Sequence, residues 1–482
     1  MITKTNVKAD RYVAEKVFIL KKSVILGLTG IIAAIIAAVF LFGVFSIDKP
    51  VDNINVFYMP HENGAIVVKG ENAAKELIKG KGVADIKYSL SGESATVVMS
   101  DGASYSLYYT DGSKVNHITS EASANYVISA DGSTVAYCDS QSELYVYNCA
   151  TSQSTRIDND VQAFALSPSG KVIIYSGEDE SVVSLYVYSE GNASLLGENY
   201  IPLGVSDDLS MIYVLSADNS LYVLDKNGDI TSKICSEVSA DKFCFSADMK
   251  NIVFNDGQYT YASSDGKSRV RLVSAVATPV NTADFNSDSN NNSAVCSNVY
   301  NTFYSTTDED GVISLCYVSE NSVNTVSFNV KKFVVTGQDS AVYLDTQGKV
   351  YRYSSGQNIL VQSGVLDVFA TSDGSYIYYK TSNAELFCLK KGESVRVAEG
   401  VSQVYITSDG KMFFIDNNGG LFSVKGAKVM KQIDENVHAC ICNSSTVMYM
   451  KNYSAHTGTF GLYVAKDSLK FSLVAENVSN II

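Results

Sequence analysis

Beyond residue 54 the chain alternates apolar and polar positions in short runs broken by turn residues, which is the period-two signature of half-buried strands. One run recurs as Leu-aromatic-x-apolar, at Leu107-Tyr108, Leu144-Tyr145, Leu185-Tyr186, Leu221-Tyr222, Leu386-Phe387, Leu421-Phe422 and Leu462-Tyr463. Weaker copies begin at Ile66, Gln258, Leu315 and Val350. Successive copies are separated by 41, 37, 41, 36, 37, 57, 35, 36, 35 and 41 residues. A repeat of about 40 residues has room for four short strands.

A second element, Ser-x-Asp-Gly or a relative, precedes each run and leads at once into an apolar strand. Examples are Ser129-Ala130-Asp131-Gly132 before Thr134-Val135-Ala136-Tyr137, and Ser372-Asp373-Gly374 before Tyr376-Ile377-Tyr378-Tyr379. Gly accepts positive φ and Asp bonds the backbone that follows it, so the pair turns the chain. Such repeats cannot bury a face alone. Arranged radially, each sheet packs its Val, Ile, Leu and Tyr side chains on the next. The expected fold is all-β, a β-propeller of four-stranded blades. The abundance of Ser, Thr, Val and Tyr opposes a solenoid of helix pairs, and a parallel β-helix would need shorter coils.

Eleven copies exceed the usual four to eight blades of one ring, which leaves two rings in series or one large ring. The longest gap contains Asn286-Ser287-Asp288-Ser289-Asn290-Asn291-Asn292-Ser293, where a linker or inserted loop belongs. A boundary is accordingly expected after residue 277, with one set of repeats in 48–277 and a second in 278–482. Val478-Ser479-Asn480-Ile481-Ile482 resembles the opening strand of a further blade, and residues 54–80 resemble a blade without one. Closure of the first blade by the C-terminal strand is therefore expected.

Phe164-Ala165-Leu166-Ser167-Pro168-Ser169-Gly170-Lys171-Val172-Ile173-Ile174-Tyr175, followed by Leu185-Tyr186-Val187-Tyr188, resembles the repeat of TolB-like and related WD-like bacterial propellers. Phe243-Cys244-Phe245-Ser246-Ala247-Asp248 before Ile252-Val253-Phe254 is similar. The resemblance implies the fold and no particular activity. The chain has no Trp, so the tryptophan signature of WD repeats has no counterpart here.

From Ser23 to Ile47 run 25 residues without a charge, and about 20 already cross a bilayer core as a helix. That length exceeds the apolar region of a cleavable signal peptide, and no A-x-A site stands before Asp48. A single transmembrane helix over 23–47 is expected. Residues 1–22 carry six cations, Lys4, Lys8, Arg11, Lys16, Lys21 and Lys22, against Asp10 and Glu15, which places them in the cytoplasm and residues 48–482 outside. The whole chain has a net charge of −14, so the exterior part is more acidic still. Nucleic acid is therefore excluded as a partner, since phosphate affinity needs concentrated Lys and Arg.

The hydrophobic fraction of 46% marks a folded chain that can bury large cores. Nine cysteines, an odd number scattered in apolar strands, read as small core residues. Cys138 and Cys149, flanking a hairpin, are the local pair to test for a disulfide. His438, Cys440 and Cys442 alternate, so on a regular strand they would share one face with soft metal-ligand chemistry; a blade core explains the same pattern without metal. Asp284, Asn286, Asp288, Asn290 and Asn292 resemble the front of a calcium loop, but Ser289 and Val295 stand where its Gly and Glu belong.

No Gly-x-Ser-x-Gly elbow and no phosphate loop occurs, and no second His stands four residues after His61-Glu62. Asp207 with Asp208, and Asp308 with Asp310, sit beside turn signals and read as loop ends. No catalytic residue and no cofactor is assigned. The leading functional reading is a membrane-anchored extracytoplasmic binding or scaffold module for a protein, peptide or glycan partner at the propeller faces. The alternative is an extracellular hydrolase or lyase with acidic loops lining a face.

Overall fold

The computed structural model describes residues 53–481, apart from 280–301 and internal stretches of at most five residues. The expected spanning segment 23–47, the tail 1–22, the oxygen-rich run 284–292 and the Asp308/Asp310 pair lie outside the described residues. Among those described, no helix is long and apolar enough to cross a membrane. The compact unit over 52–482 is all-β, with a 3-10 turn at Pro60–Glu62.

Most of its strands form antiparallel four-stranded sheets in chain order, in which each strand pairs with its neighbour in sequence. A typical sheet runs Val161–Leu166, Val172–Asp179, Val182–Ser189 and Asn192–Glu198. One sheet has seven strands because the 16-residue strand Ser322–Gly337 serves two blades. Its first half pairs with Ile313–Ser319 and its second with Ser340–Asp345, while Val330 faces both Ile313 and Asp345. Register shifts on both sides of Val330 bend the strand between the two blades. Counting that sheet as two gives eleven blades among the described residues, each carrying one sequence copy on its third strand or, for Gln258, just before it.

The first blade is completed from the far end of the chain, as its missing strand led us to expect. Asn480–Ile481 pairs antiparallel with Ile54–Met59, through Phe57 with Ile481 and Tyr58 with Asn480. The expected division after residue 277 falls inside the strand Ala277–Pro279.

Alternation on each strand gives every blade two apolar faces, and each buried cluster is shared by neighbours. Val172, Ile174 and Leu185 of the fourth blade pack on Ile212 and Val214 of the fifth. Tyr378 and Leu386 of the ninth meet Met412 and Phe414 of the tenth. Met448, Met450 and Leu462 of the eleventh meet Phe57 and Val68 of the first. Among the described residues the tyrosines are mostly buried or half-buried, as their strand positions imply. Cross-strand ring stacks recur at one register, with Tyr137 on Tyr145 at 5.3 Å, Tyr379 on Phe387 at 5.2 Å and Phe414 on Phe422 at 4.9 Å.

Candidate functional site

The Ser-x-Asp-Gly element forms the turn between the first two strands of a blade, and its bonding explains each residue. In Ser129-Ala130-Asp131-Gly132, the Ser129 hydroxyl donates to Asp131 Oδ1 at 2.7 Å and accepts the Thr134 amide at 3.0 Å. Asp131 Oδ1 also accepts the Ser133 amide at 2.9 Å. The Gly132 amide closes the turn on the Ser129 carbonyl at 2.9 Å, with φ +71°. Ser129 is 2% exposed, so its hydroxyl satisfies a buried backbone donor that water could not reach.

The pattern repeats with substitutions that keep the bonds. Ser206 donates to Asp208 and accepts the Met211 amide. Ser246 does the same with Asp248 and Asn251, and Thr371 with Asp373 and Tyr376. Leu209 and Met249 occupy the left-handed position that Gly fills elsewhere. The Asp carboxylates are held ionised by these donors. Bonds from the Ser210 hydroxyl and amide and from Ser206 bring Asp208 down to about 2. Burial pushes Asp131 and Asp207 up, but the serine donors outweigh it and leave both below the usual carboxylate range.

Successive turns are bonded into a row. The Ile54 amide donates to the Gly92 carbonyl, Leu90 to Ala130 and Asp131 to Pro168 at 3.0, 3.0 and 3.3 Å. Ser169 then donates its amide and hydroxyl to Asp207 Oδ1 at 3.0 and 2.7 Å. Along the second to fifth blades this row forms an open groove of about 460 Å³. Leu90, Ala130 and Pro168 supply its apolar lining; Ser91, Ser169, Asp131 and Asp207 supply the polar groups. Asp207, expected as a loop end, is an exposed turn residue that also lines the groove. No side-chain pattern in the sequence signals the groove, which depends on backbone bonds between successive turns.

The structure does not bring the other sequence candidates together. Val437 pairs with Lys451 and Ala439 with Met450, so a bulge falls at His438 and breaks the alternation. His438 is exposed and stacks on Phe460 at 4.8 Å. Cys440 and Cys442 share a face, with their sulfurs 4.0 Å apart, in the core with Phe413 and Tyr449. Among the described residues, no group of three or more His, Cys, Asp and Glu side chains is placed to hold a metal. Cys138 and Cys149 belong to different inter-blade cores and are unpaired with each other. Burial raises their thiols to about 11 and about 12, as expected of inert core residues.

No protein-family description matches this chain, and no curated protein matches it. Solved structures are similar to it. TolB from Acinetobacter baumannii is 18% identical over 46% of this chain and 64% of its own, at a TM-score of 0.31. PorZ, a surface component of the type-IX secretion system of Porphyromonas gingivalis, is 12% identical over 86% of this chain and 65% of its own, at 0.34. The GH74 enzyme of Niastella koreensis is 11% identical over 88% and 85%, at 0.35. The chain thus spans less than two thirds of the length of the first two of these. The blade assignment rests on strand pairing.

Proposed function

We propose that the protein is a membrane-anchored extracytoplasmic propeller that works as a binding or scaffold module for a protein, peptide or glycan partner. The observation that carries this reading is the bonded row of turns. Its carboxylates and hydroxyls hold backbone amides, so the groove offers a preorganised surface with little ordering to be done on binding. Rigid sheets presenting loops at one end are how a scaffold displays a recognition surface.

Two experiments test it. Protease added to spheroplasts should digest residues 48–482 and leave 1–22 protected; protection of the C-terminal part would reverse the topology. The purified full-length protein should retain a partner without turning it over. Turnover of a peptide or glycan that is lost on Asp131→Asn or Asp207→Asn would replace the binding reading with a hydrolase or lyase.

A further inference from the structure

Residues 53 and 54 enter the exterior unit at the start of the turn row. Ile54 is the first donor of that row, bonding Gly92, and the Asn53 side chain lies against Gly92. The groove occupies the next four turns.

The charges on the groove narrow what can occupy it. Its lining holds two carboxylates, Asp131 and Asp207, and no cation. Asp208 adds a third carboxylate beside them, kept ionised by its turn, and Lys171 acts on Asp207 from nearby. An anionic lipid surface is repelled by such a face. A cationic segment is attracted, and the apolar floor of Leu90, Ala130 and Pro168 suits the stems of Lys and Arg side chains. The groove is open along its length, which fits an extended polypeptide better than an enclosed small ligand.

We infer that this groove takes a basic, extended segment of a second protein. The inference rests on the binding reading above and names the partner class of the same site.

The test uses the full-length protein in phosphatidylcholine nanodiscs, with a short Lys-rich peptide and its Glu-substituted counterpart as probes. The Lys peptide should bind, weaken as salt is raised, and lose about tenfold or more in affinity in two variants. Asp131→Asn with Asp207→Asn keeps the Oδ1 acceptors and removes charge. Leu90→Lys adds a cation at a side chain 48% exposed, leaving the backbone bond to Ala130 in place. Equal binding of both peptides, unchanged affinity in both variants, or co-flotation with phosphatidylglycerol vesicles in place of peptide binding would each overturn it. A natural partner still retained by both variants would also overturn the groove inference while leaving the scaffold reading intact, and the protease experiment fails or succeeds independently of either.

Discussion

Ser479 donates its amide to the carbonyl of Tyr58 over 3.0 Å, a bond between residues 421 positions apart that ties the last strand to the first. Val478, fully buried, packs beside Phe57 in the core shared by the eleventh and first blades. Deleting residues 478–482 should therefore loosen the start of the fold. Loss of one buried Val and its ladder bonds is expected to cost about 3 kcal/mol or more. Hydrogen exchange at Phe57 and Tyr58 reports it, and unchanged protection there would argue against the closure.

The turn motif makes a graded prediction. Ser129→Ala leaves the buried Thr134 amide without its acceptor and should destabilise by about 1–3 kcal/mol. Gly132→Ala should do at least as much, because φ is +71° and a Cβ there would run into Ser94 Oγ. Gly102→Ala, with φ +94° and open space around it, carries the conformational cost alone and should be the mildest. Denaturant midpoints of the three variants give the order.

Acid should weaken the same turns. Asp208, at about 2 when folded, is depressed from the usual unfolded value of about 3.9, so its contribution is complete above about pH 4 and disappears as pH falls through 2. Asp373 is depressed in the same direction by Thr371 and Ser375. Stability measured against pH should fall across that window. Asp208→Asn should flatten the fall without moving stability at neutral pH by much, since the side chain is exposed. An identical acid slope in the variant would mean the proton is taken up elsewhere.

The bulge at His438 predicts indifference to chelators. With His438 on Phe460 and the two sulfurs in a blade core, EDTA should leave the unfolding temperature of the full-length protein unchanged. A drop restored by zinc would show that the three side chains do converge.

How far the sequence reached is clear from where its regularities live. The third-strand run was legible because a buried Leu and a stacked aromatic recur at one register, and burial enforces both. The missing strand of the first blade was legible for the same reason, since an unpartnered apolar strand at each end implies the other. The groove was not legible. It arises from amides of one blade bonding carbonyls of the next, Leu90 to Ala130 and Asp131 to Pro168, and backbone bonds of this kind leave no side-chain pattern. The alternation of His438, Cys440 and Cys442 allowed a blade core or a metal site, and the core holds both cysteines, while the extra residue that takes His438 off their face is a bulge nothing in the sequence marks.

The last prediction separates one ring from two. The described cores pass from blade to blade in chain order, and the eleventh returns to the first through Met448, Met450, Leu462 and Val464 against Phe57, Met59, Ile66 and Val68. In two independently closed rings, blades from the two halves would have no such core to share. A cut after residue 277 would strip that core from both pieces, exposing these eight side chains together with whatever faces meet at the cut. Fragments 48–277 and 278–482 expressed apart should then aggregate, because each exposes an apolar patch that the intact chain covers. Co-expression should rescue solubility by letting Asn480–Ile481 find Ile54–Met59 across the break. Fragments that are each soluble and unfold cooperatively alone would instead establish two closed rings, since a domain boundary lies where few contacts cross.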